Sequence, residues 1–145
     1  MIGLLQRVNE AGVSVDGESI ARIGRGLLVL VAVHRDDEER DIARLAERIL
    51  GYRVFPDSDG RMNRSVTDIA GGLLLVPQFT LAADTRKGTR ASFTRGAAPD
   101  KASAFFDTLV EKCRKTLPDT AAGQFGADMQ VQLVNDGPVT FWLET

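Results

Sequence analysis

The sequence predicts an α+β fold in which mostly antiparallel β-sheets pack in layers with two main helices on one side, a three-layer β-β-α arrangement. Strand-like apolar runs dominate the chain, and only two segments carry apolar residues at helical spacing. Turn signals rich in Gly, Asp and Pro separate these runs. At 145 residues the chain fits a single domain, residues 1–145.

The first part of the chain is predicted to form strands. Residues 2–8 alternate in the manner of a strand, in which Arg7 reads as an ordinary exposed residue. Residues 13–23 are predicted to form a hairpin, because Asp16-Gly17 supplies the positive φ that a tight turn needs. The nearly continuous aliphatic run 27–33 is typical of a strand buried on both faces.

A first helix is expected next, capped by Asp36 or Asp37. Its apolar face is Ile42, Leu45, Ala46, Ile49 and Leu50. Residues 52–55 resemble a strand, and the acids of residues 57–60 indicate a turn, since the spacing of a calcium loop is absent.

The second half begins with Gly71-Gly72 and an apolar strand, Leu73–Leu81. Pro77 within that strand indicates an edge, an end or a bulge. Residues 84–98 lack periodicity and are expected to form a loop.

Pro99 is well placed to begin a second helix, which Pro118 ends. One face of this helix carries Ala102, Phe105, Phe106, Leu109, Val110, Cys113 and Leu117. A loop over 120–127 is expected to lead to two last strands, 128–134 and 139–143.

The Gly137-Pro138 step lies between these last two strands. Asn-Asp-Gly-Pro is strong turn chemistry and favours a hairpin turn. An X-Pro bond is also the one peptide bond that adopts cis at a cost of only about 0.5–1 kcal/mol. A preceding glycine lets another molecule approach the backbone closely.

Composition narrows the function classes. A net charge of −2 gives no global basic field, so any nucleic-acid contact must be local. Cys113 is the only cysteine, which excludes an internal disulfide and favours a reducing, cytoplasmic compartment. No signal peptide and no membrane-length apolar run is visible. His34 is the only histidine and a poor metal candidate, so neither metal nor cofactor is expected.

No catalytic motif stands out. The chain has no nucleophile elbow, no Walker loop and no G-x-G-x-x-G after a strand. Thr80, beside Gln78 and Phe79, is a weak nucleophile without an adjacent base, and the residues alone favour its interpretation as a β-former in a strand.

A local basic stretch lies within the 84–98 loop. It contains Arg86, Lys87, Arg90 and Arg95, with the aromatic ring of Phe93 among them. Such a stretch can hold phosphate and stack a base, although most runs of this kind are solvated loops.

Several groups of residues together resemble the D-aminoacyl-tRNA deacylases along nearly the whole chain. They are Gln6-Arg7-Val8, Gly24 with Gly26-Leu27-Leu28-Val29, Met62-Asn63 with Ser65-Val66 and Asp68, Gln78-Phe79-Thr80-Leu81, Ser92-Phe93, Gly123 with Phe125-Gly126-Ala127-Asp128-Met129, and Asn135-Asp136-Gly137-Pro138-Val139-Thr140. Each group alone is weak, but their order and combination are highly specific.

The resemblance implies hydrolysis of the ester joining a D-amino acid to the terminal adenosine of tRNA, and removal of glycine from mischarged tRNA. It implies tRNA and a second copy of the chain as partners, in a homodimer. The family's Gly-Pro pair, matching Gly137-Pro138, is a cis peptide that reaches into the partner subunit's pocket, which residues 77–81 line. The resemblance further implies that the 2′-hydroxyl of the terminal adenosine assists attack of water, so that a catalytic triad is not needed.

The same resemblance assigns the site residues. The catalytic set is Gln78, Phe79 and Thr80. On physical grounds we expect backbone N–H groups near Phe79 and Thr80 to stabilise the developing oxyanion, and Thr80 to position the substrate and not to attack it. The set for substrate binding and chiral selection is Gly137, Pro138, Arg7, Met129, Ala127 and Phe125, in which Arg7 orients the Gly-Pro loop. The set for tRNA binding is Arg86, Lys87, Arg90, Phe93 and Arg95.

The chain departs from the family pattern at two places, with Pro77 where serine is common and Thr89-Arg90-Ala91 where Arg-Arg-Pro is common. Two other function classes stay open on the residues alone. One is a nucleic-acid-binding dimeric module without catalysis, and the other is a plain dimeric scaffold. Release of D-tyrosine from D-Tyr-tRNA separates the enzyme from both.

Overall fold

The computed structural model describes every residue from Met1 to Thr145. Its strands are β1 (Ile2–Val15), β2 (Glu18–Ile23), β3 (Gly26–Ala32), β4 (Phe55–Pro56), β5 (Met62–Arg64), β6 (Gly72–Pro77), β7 (Thr120–Ala122) and β8 (Met129–Glu144). The helices are α1 (Glu39–Gly51) and α2 (Pro99–Thr116), and a short 3₁₀ turn covers Phe79–Ala82.

Six of the strands form one nearly closed mixed sheet, and β4 and β5 form a small separate one. The order in the large sheet is β2-β1-β3-β6-β7, and β8 also pairs with β1. β1 is antiparallel to β2, β3 and β8, whereas β3–β6 and β6–β7 are parallel. The predicted α+β class, with two helices and mostly strands, is confirmed.

The parallel pair β3–β6 is buried on both faces, as the aliphatic run predicted. Alternate residues of β3 and β6 enter two different cores. Leu27, Val29 and Leu73 pack in the larger core beneath the helices, while Leu28 and Leu74 pack on the other face of the sheet. Full burial of one such side chain contributes about 1.5–3 kcal/mol to folding.

Both helices begin and pack largely as expected, but the predicted cap of α1 is wrong. The residue before the helix is Glu38, whose N–H donates to Asp41 Oδ2 at 2.8 Å. Asp36 does not cap α1, and the carboxylate of Asp37 instead accepts from the amine of Met1 and from the N–H of His34, both at 2.6 Å. A carboxylate held by those two donors is not free to bind the first amides of α1.

Two predicted strands are shorter than expected. The strand predicted over Leu73–Leu81 ends at Pro77. Gln78 N–H makes the last bond to β3, to Val31 O at 2.7 Å, and the chain then turns, with Leu81 N–H bonded to Gln78 O at 3.2 Å. Thr80 therefore lies in the 3₁₀ turn and not on a strand. The strand predicted over 52–55 is reduced to Phe55–Pro56, since the carbonyl of Val54 accepts from the Arg7 guanidinium.

Elsewhere the strands are longer or more numerous than predicted. Residues 2–15 form one strand because β8 pairs along its length, from Ile2 opposite Glu144 to Val15 opposite Met129. The Asp16-Gly17 turn is confirmed, with φ of 51° and 83°. The loop predicted over 120–127 contains β7, which extends the sheet beside β6.

Candidate active site

The Gly-Pro step lies on an excursion from a single strand and not on a hairpin turn, so the turn interpretation is wrong. Both halves of β8 pair with β1: Asn135 lies opposite Val8, and Thr140 lies opposite Gln6. Residues 136–139 therefore leave the ladder between two neighbouring pairs. Gly137 and Pro138 are exposed there, and the peptide bond between them is cis.

Side chains at its base fix the shape of the excursion. Asn135 Nδ2 donates to the carbonyl oxygens of Arg7 at 2.9 Å and Val139 at 3.1 Å. The guanidinium of Arg7 lies 3.0 Å from Asp136 Oδ2 and donates to Val54 O at 2.6 Å. The Arg7 side chain is only 13 % exposed, so its interpretation as an ordinary surface residue is wrong.

Gly137 is the one position of the excursion that a larger residue cannot occupy without distortion. Its φ of +124° is a conformation that L side chains rarely adopt. A Cβ there would lie 2.8 Å from Val139 Cγ2 and 3.1 Å from Arg7 Nη2. The excursion therefore presents bare main chain to its surroundings.

A cleft of about 560 Å³ opens on another part of the chain. It lies between the end of β6, the start of α2 and the segment that enters β8. Most of its lining is hydrophobic, and Asp128 is the only ionisable side chain in it. The lining residues are Val76, Pro77, Gln78, Phe79, Ala97, Pro99, Ala102, Phe125, Gly126, Ala127, Asp128, Met129 and Val131.

The 3₁₀ turn places the Gln78–Thr80 segment at the edge of this cleft. The Thr80 hydroxyl accepts from the side-chain amide of Gln78, and Leu81 N–H donates to Gln78 O at 3.2 Å. No histidine or carboxylate bonds to Thr80, so its hydroxyl has no general base in this chain. The first amides of a helical turn have no acceptor within that turn, which makes those of Phe79 and Thr80 the candidate oxyanion donors.

An aromatic pair joins the cleft to the basic loop. The ring centroids of Phe79 and Phe93 are 5.1 Å apart, within the range of favourable aromatic pairs. Both rings are largely exposed, Phe79 at 61 % and Phe93 at 48 %. Two backbone bonds between Asp84 and Ser92 close the loop beneath them.

The basic residues of the loop fall into two places. Arg86, Lys87 and Arg90 share one shallow depression with Asp84 and Ser92. Arg86 is bonded to the carboxylate of Asp84, and these bonds hold the pKa of Asp84 well below its usual range. Lys87 and Arg90 form no ion pair and remain the available cations.

Arg95 is separate from this group. It lines a different polar depression, which also contains His34, Arg35, Asp36, Asp37, Asp41, Glu144 and Thr145.

The structure thus brings part of the predicted set together. Gln78 and Phe79 share the cleft with Phe125, Ala127 and Met129. Arg7, Gly137 and Pro138 form a second group, and none of them lines the cleft of their own chain. Sequence reasoning missed Val54, the carbonyl partner of Arg7, because a main-chain oxygen leaves no signal in the residue type.

Other candidate chemistry has no support in the geometry. Cys113 is fully buried as predicted, and burial raises the pKa of its thiol to about 12. No three His, Cys, Asp or Glu side chains converge as metal ligands would. Neither helix has the length and apolar character required to cross a bilayer.

Known proteins resemble this chain in sequence over nearly its whole length. A family described as D-Tyr-tRNA(Tyr) deacylase matches residues 4–144. A D-aminoacyl-tRNA deacylase of Alkalilimnicola ehrlichii is 65 % identical over 144 residues, covering 99 % of this chain and 96 % of the relative. A D-aminoacyl-tRNA deacylase of Escherichia coli O81 is 57 % identical and covers 99 % of both chains.

Two solved structures resemble its fold. A c-Myc DNA unwinding element binding protein superposes with a TM-score of 0.95 at 38 % identity, covering 100 % of this chain and 99 % of the other. A probable eukaryotic D-amino acid tRNA deacylase superposes with a TM-score of 0.85 at 18 % identity, covering 98 % and 97 %. The second likeness shows the fold alone.

Proposed function

The chain belongs to the D-aminoacyl-tRNA deacylase family, a family of hydrolases, and from this membership we propose that it cleaves the ester between a D-amino acid and tRNA in the cleft described above. One observation carries the proposal. Gln78-Phe79 and Phe125–Met129, which are distant in sequence, meet in a single cleft. A volume of about 560 Å³ suits a small ligand such as an aminoacyl-adenosine and is too small for a folded RNA.

Chiral selection in this proposal comes from main-chain geometry. D- and L-amino acids carry the same groups, so hydrophobicity cannot separate them. A rigid wall facing the α-carbon rejects an L side chain by collision and leaves a D side chain pointing to solvent. Glycine has no side chain to reject, so we propose that glycyl esters are also accepted.

A second copy of the chain supplies this wall. Gly137 and Pro138 are exposed and lie outside the cleft of their own chain, so they are free to enter another. A two-fold homodimer would exchange the two excursions and complete two equal sites. The contacts of Arg7 and Asn135 support this role because they hold the excursion in one shape.

The chemistry in this proposal requires no protein nucleophile. An aminoacyl ester is already activated, and correct placement alone supplies several kcal/mol of the barrier reduction. The 2′-hydroxyl of the terminal adenosine assists attack of water on the ester carbonyl. Amides of Phe79 and Thr80 donate to the developing oxyanion, and Gln78 and Thr80 hold the turn in position.

Thr80→Ala should reduce the single-turnover rate of D-Tyr-tRNA deacylation by less than about tenfold. The change removes one hydrogen bond to Gln78, worth about 1 kcal/mol, and no nucleophile. Thr108→Ala is the matched control, because its exposed hydroxyl bonds only to Ala104 O on α2. Complete loss of turnover with intact tRNA binding would instead make Thr80 the attacking group.

The basic loop is proposed to hold the tRNA backbone, with Phe93 stacking a base beside the cleft. Replacing both Lys87 and Arg90 by alanine should raise the KM for D-Tyr-tRNA about tenfold at 0.15 M salt. The slope of log KM against log salt concentration should fall by about one to two units, since two phosphate contacts are lost. The KM for a short D-tyrosyl-adenosine should not change. Lys112→Ala/Lys115→Ala, on the exposed side of α2, is the control pair, and an equal loss there would contradict a local contact.

The function itself is tested by release of free tyrosine from D-Tyr-tRNA and L-Tyr-tRNA in parallel. The deacylase predicts release from the D ester only. A solved relative is named for binding a DNA element, which makes nucleic-acid binding without hydrolysis the second candidate. That candidate predicts retention of both tRNAs with their esters intact, and a scaffold predicts neither binding nor release.

A further inference from the structure

The segment between β7 and β8 is folded back on itself by an unusual contact. The N–H of Gln124 donates to the thioether sulfur of Met129 at 3.3 Å. Ala127 N–H donates to Gln124 O at 3.3 Å and closes a turn within the same segment. These two contacts fix residues 124–128, of which 125–128 form one wall of the cleft.

Gly123 makes the space in which the Met129 sulfur lies. A Cβ at Gly123 would lie 2.9 Å from Met129 Sδ, closer than side-chain atoms pack, and 3.4 Å from Pro77 Cδ. Its own N–H bonds to Leu75 O at 2.8 Å and ties it to the sheet. Its φ is in the ordinary range, so glycine is needed here for space and not for conformation.

We propose that Gly123 is a positioning residue of the cleft, because the room it leaves seats the Met129 thioether against the Gln124 amide and so sets the position of the 124–128 wall. The inference rests on the proposed function of the cleft. Met129 is then a cleft residue that also holds the wall in place. A β-carbon at position 123 displaces the sulfur from the Gln124 amide and releases the wall.

The expected kinetic result is a change in substrate binding. A wall that contacts the substrate equally before and during reaction changes KM and leaves kcat, so Gly123→Ala should raise the KM for D-Tyr-tRNA about tenfold with kcat within about twofold. Valine at position 129 is too short to meet the new β-carbon but also lacks the sulfur acceptor, so Gly123→Ala should add nothing to the KM of Met129→Val. Gly51→Ala is the matched control, since a Cβ there meets nothing within 4 Å.

Methyl NMR detects the contact between Gln124 and Met129 independently of catalytic activity. The chain has three methionines, Met1, Met62 and Met129, so [methyl-¹³C]methionine labelling gives three resonances. Met129→Leu identifies the Met129 signal and also removes the sulfur acceptor at similar volume. Gly123→Ala should shift the Met129 signal and leave that of the exposed Met62 unchanged.

A non-hydrolysable D-tyrosyl-amide of 3′-amino-3′-deoxyadenosine separates the possible failures. In the wild type it should shift the Met129 signal. If the analogue shifts the wild-type Met129 signal, but Gly123→Ala changes neither that signal nor KM, the positioning role is overturned and the cleft assignment stands. If the analogue does not shift the wild-type signal, while the enzyme still releases D-tyrosine, the cleft assignment fails and the inference fails with it. Should Gly123→Ala not fold, Met129→Leu with a wild-type KM overturns the inference.

Discussion

Gly137→Ala should reduce kcat/KM for D-Tyr-tRNA by about 100-fold or more, since misplacement of a reacting group by about 1 Å has an effect of that size. The substitution places a β-carbon where φ is +124° and where Val139 and Arg7 already lie within 3.1 Å. The excursion must shift to accept it, and its main-chain surface is what we propose faces the α-carbon of the substrate. Single-turnover deacylation of D- and L-Tyr-tRNA measures the effect.

The control for this variant is Gly24→Ala. Gly24 has an ordinary φ, and a β-carbon there meets nothing within 4 Å, so activity should remain at the wild-type level. Circular dichroism and sedimentation of both variants separate a local effect from loss of fold or of dimer. If folded, dimeric Gly137→Ala keeps near-normal activity and enantioselectivity, the main chain at Gly137-Pro138 is not the surface that rejects L-amino acids.

Arg7→Met has the second largest expected effect, a loss of about 30- to 100-fold in kcat/KM together with lower stability. Methionine keeps the apolar stem but removes the bonds to Asp136 and to the carbonyl of buried Val54. A buried carbonyl left unsatisfied costs about 1–3 kcal/mol, which lowers the melting temperature by several degrees in a chain of this size. Deacylation kinetics and thermal unfolding measure the two effects separately.

Arg22→Met is the matched control for Arg7. Arg22 lies on β2 and pairs with Glu10 at 3.2 Å, but its side chain is 75 % exposed, and such surface pairs contribute little. Arg7→Lys sharpens the comparison, because a single ammonium cannot reproduce the forked contact with Asp136 and Val54. Full activity of Arg7→Met, with only its stability reduced, would make Arg7 a purely structural residue.

Much of the fold could be predicted from residue patterns. The two helices follow from apolar positions at helical spacing, and the Asp16-Gly17 turn and the doubly buried β3 follow from local chemistry. The prediction failed where the apolar pattern does not reveal a turn. The strand predicted through Leu81 ends at Pro77, because the chain turns at Phe79–Ala82 after its last bond to β3.

In the candidate site, too, some features follow from residue patterns and others do not. Residue types alone favoured a hairpin at Gly137-Pro138, because local turn chemistry carries no information about β1 pairing with both halves of β8. The family resemblance assigned Gln78 and Phe79 to the catalytic set and Phe125, Ala127 and Met129 to the substrate-binding set, and one cleft contains residues of both sets. Gly123 gave no signal of its own, since a glycine needed for space looks like any loop glycine.

The pairing of β1 with β8 also has a consequence for folding. Arg7 and Asp136 are 129 positions apart, so the contact that orients the excursion joins two segments that are distant along the chain. Contacts of such long range form late in folding. The chiral filter that we propose therefore depends on the pairing of β8 with β1, and it would be absent from a folding intermediate in which these two strands are still apart.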